Sequence, residues 1–312
     1  MGRASLPLQI LFTIKFSVLY LFVFLFQDIP RVLFGRKKKV AGQVVVITGS
    51  GMGMGKEVAK KFALRQGAKV CILDINEKEG LRTMEEITEA GGFAQFFRCD
   101  VSKANELEDV ASRIYKDPAL GFVNIVVANA AILKFGEATT LTYDDYKLNN
   151  DVNILGHIYT VKAFLPKMIE AKQGHIVSIG SICSHFGDYT GTAYCAAKFA
   201  CRGFMEALHC ELLEKGLEQI AVTSIYPYFV KTNFISNFEE PYSTYWDVVP
   251  LEVATDEIVD AILYERLSHY IPGSIKLLCV YMKWMTTKGT IPIGRKVFNI
   301  TCKPKTGEVK QV

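Results

Sequence analysis

The chain has 312 residues, half of them hydrophobic and 22% charged, with a mean hydropathy of +0.18; this excludes a disordered, collagenous or low-complexity polypeptide. Its net charge of +4 hides a partition: residues 1–41 carry +6, residues 273–312 carry +7 and the middle carries −9. A nucleic-acid binder would place basic charge on the fold itself, whereas here it sits at both ends beside apolar stretches, as in a protein that addresses an anionic membrane surface. The eight cysteines include no CxxC pair and the five histidines no HxxxH or HExxH pattern. Neither a disulfide framework nor a metal site is therefore expected, and a reducing compartment fits best.

Leu8 to Phe26 is apolar except for Gln9, Thr13, Lys15 and Ser17. As a helix it would reach roughly 28 Å, about one hydrocarbon thickness. No small-x-small cleavage site follows it, so it reads as a retained membrane segment rather than a signal peptide. Arg31, Arg36, Lys37, Lys38 and Lys39 follow it and only Arg3 precedes it, which places the remainder of the chain in the cytosol by the positive-inside rule. Lys15 makes a centred span costly, so a monotopic insertion with Lys15 reaching the interface is the alternative.

From Gln43 short β-rich runs alternate with amphipathic stretches. The runs are Val44–Thr48, Lys69–Asp74, Phe93–Asp100, Asn124–Asn129, His175–Gly180 and Ala221–Pro227. Near-continuous apolar strands separated by helical patterns predict an α/β fold, a doubly wound parallel sheet covered on both faces. No linker or repeat interrupts residues 42–272. Three regions follow: an anchor with its basic flank at 1–41, one nucleotide-binding domain at 42–272, and a basic amphipathic tail at 273–312.

The first strand runs into Thr48-Gly49-Ser50-Gly51-Met52-Gly53-Met54-Gly55 and then into a helix. A glycine-rich strand-to-helix turn lets backbone N–H groups approach a pyrophosphate at the positive end of the helix. The second strand ends at Asp74, where a carboxylate would meet an adenosine ribose. With no Arg or Lys beside it, Asp74 favours NAD over NADP.

Ser181 stands thirteen residues before Tyr194, and Tyr194-Cys195-Ala196-Ala197-Lys198 spells YxxxK, an i, i+4 pair on one helix face. Together with TGxxxGxG at 48–55, these residues resemble the short-chain dehydrogenase/reductase superfamily. Further matches are Asp100-Val101, Asn129-Ala130-Ala131, Asn153, Pro227, Val230 and Thr232. The resemblance implies a catalytic set of Ser181, Tyr194, Lys198 and Asn153. It also implies a cofactor cleft formed by Thr48, Gly49, Ser50, Gly53, Met54, Gly55, Asp74, Asp100, Val101, Asn129, Ala130, Ala131, Tyr194, Lys198, Pro227, Val230 and Thr232. In that scheme Tyr194 is the base for the carbinol proton and Ser181 holds the substrate oxygen, while Asn153 and Lys198 relay the proton through water. A cation about 4 Å from the phenol contributes roughly 4 kcal/mol at an effective dielectric of ~20, so Lys198, helped by oxidised nicotinamide, can bring Tyr194 into working range.

More narrowly, the hydrophobic leader, Lys162-Ala163-Phe164-Leu165-Pro166, Gly174-His175-Ile176-Val177 and Ile271-Pro272 resemble the membrane-associated branch containing 17β-hydroxysteroid dehydrogenases types 11 and 13, epidermal retinol dehydrogenase 2 and retinol dehydrogenase 10. That branch implies oxidation of a lipophilic alcohol (retinol, steroid or long-chain alcohol) at the endoplasmic reticulum or lipid droplets, by a homodimer paired through the helices around 151–170 and 193–214. There are three departures. NNAG reads Ala128-Asn129-Ala130-Ala131, Pro-Gly reads Pro227-Tyr228, and Met52 and Met54 replace commoner residues in the phosphate turn. The first two favour the rival reading of a weakly active membrane or droplet scaffold; a carbonyl-lipid reductase would use the same residues. An aromatic segment with Phe234, Phe238, Tyr242, Tyr245 and Trp246 is expected as a substrate lid. The tail Ser274–Phe298 is expected as an interfacial amphipathic element or a subunit contact.

Overall fold

The computed structural model describes residues 5–23, 25–26, 35–235, 241, 243–282 and 288–300. They fall into two compact units, one up to Lys38 and one from Lys39 onward. The first contains helix α1 (Leu6–Val23), apolar enough and long enough to cross a membrane. Its large side chains are exposed, among them Leu11, Phe16, Val18 and Tyr20. The expected segment from Leu8 thus begins two residues earlier as a helix; its expected flank at Gln27–Pro30 and Arg31, like Arg3, lies outside the described residues.

The second unit is built on seven parallel strands in the order β3-β2-β1-β4-β5-β6-β7. These are β1 (Val44–Thr48), β2 (Lys69–Asp74), β3 (Phe93–Arg98), β4 (Val123–Ala128), β5 (Gly174–Ile179), β6 (Ile220–Pro227) and β7 (Ser268–Ile271). Six lie within two residues of the predicted runs. The seventh is four residues long and has an exposed Ser and a half-buried His in its first half, so it offers neither an apolar run nor clean alternation.

Every residue of β1 is buried. Val45 and Ile47 enter one apolar cluster with Val58, Phe62, Ile72 and Ile258, and Val44 and Val46 enter another with Leu107, Ile114, Phe164 and Met168. Alternate side chains therefore face opposite sides, and helices cover both, which is why the strands read as continuous apolar runs. The covering helices are α2 (Gly53–Lys60), α3 (Glu77–Glu89), α4 (Ala104–Lys116), α5 (Tyr143–Asn150), α6 (Gly156–Ala171), α7 (Thr192–Glu214) and α8 (Leu251–Leu263). Their starts follow local chemistry. Asn76 accepts the Glu79 N–H and caps α3, and Thr142 with Asp145 forms a reciprocal capping box on α5.

Between α5 and α6 the chain does not run as the single α-helix that residues 151–170 predict. Residues Asp151–Leu155 form a π turn in which the Gly156 N–H donates to the Asp151 carbonyl five residues back. Single π turns inside helices concentrate at functional sites, and this one contains Asn153.

The strand order reverses at β1, with β2 on one side and β4 on the other. The crevice beyond the carboxyl ends of β1 and β4 is thus the switch point where such sheets bind ligands. The tail supplies α9 (Ile275–Met282) and α10 (Thr290–Phe298). Ile275, Leu278 and Cys279 are buried in the core while Leu277, Val280, Tyr281, Ile291, Ile293 and Val297 are exposed.

Candidate active site

Thr48, Asp74, Asp100, Asn129, Ser181 and Pro227 each end, or lie within two residues of the end of, one of six adjacent parallel strands, so the sheet gathers them along one edge. The Thr48 hydroxyl is buried between strands and accepts the N–H groups of Asn129 (3.0 Å) and Ala130 (3.1 Å). In return the Asn129 carboxamide donates to the carbonyls of Thr48 (2.9 Å) and Gly49 (3.0 Å). These four bonds close β1 onto β4 beside the glycine turn.

The turn needs its glycines. Gly49 has φ +62, and a Cβ there would lie 2.7 Å from the Ala130 Cα; a Cβ on Gly55 would lie 2.2 Å from the Gly49 carbonyl oxygen. The Ser50 hydroxyl donates to the Ile47 carbonyl at 2.6 Å. Helix α2 starts at Gly53 without a side-chain cap, so its first N–H groups are free of side-chain competition. Around Gly53, where φ is +58, a Cβ would meet nothing within 4 Å. A backbone cradle at a helix N-terminus with open space before it fits a pyrophosphate. Met52 is exposed and Met54 packs partly against the core, so neither methionine fills the turn.

Asp74 is buried and its carboxylate braces the same turn, accepting Gly51 N–H at 2.8 Å and Asn76 N–H at 2.9 Å. Each oxygen keeps a second acceptor site, so ribose hydroxyls can be added without breaking either bond. Asp100 accepts from both the backbone and the hydroxyl of Ser102, and Val101 is buried against Gly156. Val230 is buried and bridges to Val249, and the Thr232 hydroxyl donates to the Val230 carbonyl. Ala128 belongs to the core, so the methyl of ANAA at that position is absorbed by packing. The extra ring of Pro227-Tyr228 likewise turns inward: Tyr228 is buried, edge-on to Phe229 with ring centroids 4.8 Å apart.

Ser181 caps a short 3₁₀ turn, Ile182–Ser184, by accepting the Cys183 N–H at 3.2 Å. Tyr194 and Lys198 lie one turn apart on α7, both buried. Ser181 favours the ionised form of the Tyr194 phenol, and the Lys198 ammonium lies 5.7 Å from the Tyr194 ring centroid. Lys198 Nζ donates to the Ile179 carbonyl at 3.0 Å, which anchors it to the end of β5. Asn153 does not face this group with its carboxamide. It accepts the Ile132 N–H and donates to the Ile132 carbonyl, both at 2.9 Å, and donates to Asn149 Oδ1 at 3.0 Å. Its main-chain carbonyl accepts the Cys201 thiol at 2.7 Å.

The expectation is that Lys198, helped by oxidised nicotinamide, brings the phenol into working range; in the protein alone burial works against it. Burial pushes the Tyr194 pKa up, as does the neighbouring Cys183, and Ser181 opposes the rise. Burial also pulls the Lys198 pKa down. The ammonium lies over the ring and donates its hydrogen bond to Ile179. In the protein alone Tyr194 is therefore a protonated phenol. His157, which the sequence reading passed over, pairs with Ser178 and with the Ala130 carbonyl; its spacing of four residues from Asn153 was the available signal.

The expected lid is partly visible. Phe238 and Tyr242 lie outside the described residues. Phe234 is exposed. Trp246 donates to the Ser274 hydroxyl at 3.1 Å and stacks on Phe298 with centroids 6.0 Å apart, and Tyr245 meets Phe298 at 5.8 Å. Residues Phe186, Leu278, Met282, Phe298 and Ile300 line a small apolar cavity of about 30 Å³ with Gly187 and Asp188, next to the loop that joins Ser181 to Tyr194. The tail is therefore partly folded into the domain rather than wholly displayed. Trp284 and Met285 lie outside the described residues.

Residues 43–243 match the family model for short chain dehydrogenase. The chain is 32% identical over 288 residues to the 17-beta-hydroxysteroid dehydrogenase 13 of Homo sapiens, covering 92% of each chain. It is 35% identical to the epidermal retinol dehydrogenase 2 of Mus musculus, over 79% of each. A short chain dehydrogenase/reductase from Burkholderia phymatum, solved in complex with NAD, superimposes with a TM-score of 0.71 at 23% identity over 78% of this chain and 93% of that one. With a glycine-turn crevice at the sheet's switch point, a Ser-Tyr-Lys group on its edge and relatives matched over most of their length, the chain belongs to the short-chain dehydrogenases, in the branch of the 17β-hydroxysteroid and epidermal retinol dehydrogenases.

Proposed function

We propose that the chain is a membrane-associated, NAD-dependent alcohol dehydrogenase that oxidises a lipophilic alcohol, a retinol, steroid or long-chain alcohol, on the cytosolic face of the endoplasmic reticulum or of lipid droplets. The observation that carries this reading is the buried Tyr194–Lys198 pair, the ammonium 5.7 Å from the ring centroid and anchored on the Ile179 carbonyl two residues before Ser181, on the same sheet edge as the glycine turn. Bound NAD would accept the hydride at its nicotinamide ring and add positive charge to the site. Ser181 would hold the substrate oxygen, and Tyr194 would take the carbinol proton once ionised. Lys198 and the Asn153 carbonyl would pass that proton outward. Asp74, with its two oxygens already bracing the turn, would accept ribose hydroxyls and repel a 2′-phosphate. The names of the relatives support a steroid- or retinoid-like substrate. Helix α1 supports membrane attachment, and the exposed apolar face of α9 and α10 supports a second contact with lipid. The long helices α6 and α7 would serve a homodimer.

The test is NAD-dependent oxidation of a panel of retinols, hydroxysteroids and fatty alcohols by the membrane-bound full chain, beside Tyr194→Phe. Turnover should fall by about 10²–10⁴ in the variant, the usual range for losing a general base, with NAD binding retained. Undiminished turnover in Tyr194→Phe would refute the assignment. NAD binding without turnover of any alcohol in the parent chain would favour the scaffold reading.

A further inference from the structure

His157 is a buried titratable group that the proposed proton path does not use. It stands on the first turn of α6, four residues after Asn153, with Nδ1 3.0 Å from the Ser178 hydroxyl and Nε2 3.2 Å from the Ala130 carbonyl oxygen. A carbonyl can only accept, so Nε2 bears the hydrogen and Nδ1 receives the Ser178 O–H. Both nitrogens are then used by the neutral ring. Burial and the charge of Lys198 oppose a second proton and push the imidazole pKa down to about 3. The ring thus adds no positive charge beside Lys198.

The segment it grips lies beyond the ladder. Strand β4 ends at Ala128, and the last register pair between β4 and β5 is Ala128 with Ser178. From there side chains hold the backbone: Thr48 takes the Ala130 N–H, His157 supplies the Ala130 carbonyl, and Asn153 takes both polar groups of Ile132. The same segment presses on the glycine turn, where the Ala130 Cα approaches Gly49. Two side chains one helical turn apart therefore set its height above the crevice.

We propose that His157 is a positioning residue for cofactor binding, which with Asn153 fixes the Ala130–Ile132 segment against the glycine turn so that the nicotinamide end of NAD finds a preformed wall. The inference rests on the dehydrogenase reading above.

The experiment compares the full-length parent in detergent with His157→Phe, His157→Gln and Ser178→Ala, measuring the NAD⁺ dissociation constant by calorimetry, kcat and KM for NAD⁺, and the melting temperature. His157→Phe leaves the Ala130 carbonyl unpaired and should weaken NAD⁺ binding about tenfold, the scale of one unmade buried hydrogen bond. His157→Gln can still donate to Ala130 and accept from Ser178 and should stay within about threefold. Ser178→Ala frees the ring's orientation and should fall between them. In each, kcat at saturating NAD⁺ should change less than the dissociation constant. A role in packing alone would lower the melting temperature and leave the dissociation constant untouched, and that result in His157→Phe overturns the proposal. If His157→Phe does not fold, parent-like NAD⁺ binding in a destabilised Ser178→Ala overturns it instead. Retained turnover in Tyr194→Phe would sink the dehydrogenase assignment separately, whatever the His157 variants do.

Discussion

Thr48→Val tests how the switch point is held. The two side chains are nearly the same shape, so the substitution removes one oxygen without opening a cavity. That oxygen accepts two backbone N–H groups, from Asn129 and Ala130, at a position only 1% exposed, where water cannot replace it. Each buried donor left unpaired costs ~1–3 kcal/mol, about 2–6 kcal/mol for the pair. For a domain of this size each kcal/mol lowers Tm by ~2–4 °C, so a fall of roughly 5–20 °C is expected. Thr48→Ser keeps the acceptor and loses a methyl group, ~1 kcal/mol. Thermal melts of the two variants beside the parent read the difference directly. If Thr48→Val melted within about 2 °C of the parent, or no lower than Thr48→Ser, the claim that this hydroxyl closes β1 onto β4 would be wrong.

Two other outcomes follow from charge. Asp74→Asn removes the carboxylate that would repel a 2′-phosphate while keeping one acceptor for the turn, so the ratio of kcat/KM for NAD to that for NADP should drop by about tenfold or more; an unchanged ratio would remove Asp74 from cofactor choice. Acid should destabilise the protein before its carboxylates titrate. His157 has an ordinary value of 6.5 but a folded value of about 3, so below pH 6.5 the unfolded chain binds a proton that the native state refuses, and stability falls by about 1.4 kcal/mol per pH unit. His269, lowered mainly by burial, acts in the same direction. Glu86, Asp256 and Glu252, held low by Lys56, Lys61 and Arg65, contribute only nearer their ordinary values of 4.5 and 3.8. Denaturant titrations between pH 7.5 and 5 check this, and a flat stability across that window would contradict it. His157→Gln should make the slope shallower.

What could be read in advance was what repeats or has fixed spacing. Six strands are apolar runs because helices cover both faces of the sheet, and Ser181, Tyr194 and Lys198 stand out because chemistry ties their intervals to one helix and one strand end. Four things escaped for physical reasons. Strand β7 is an edge strand with an exposed first residue, so its pattern is that of a turn. The π turn at Asp151–Leu155 leaves no compositional trace, since its residues suit an α-helix equally well. The direction of the Tyr194 shift depends first on burial, which i, i+4 spacing does not specify. The tail's basic and apolar residues read as an interfacial element, yet Leu278 and Phe298 pack inward while Leu277 and Ile293 remain outside; composition could not divide the two sets.

The π turn also solves a problem of angle. Asn149, Asn153 and His157 are spaced by four, and in an unbroken α-helix eight residues advance two turns and a further ~80°, which would swing the first and last onto different flanks. A wider turn advances less per residue, so inserting one between them brings the three carboxamide and imidazole groups back toward a common line. Winding the same residues as a regular α-helix would leave the first and last of the row about 80° apart. The helix would survive, and its grip on Ala130 and Ile132 would be lost.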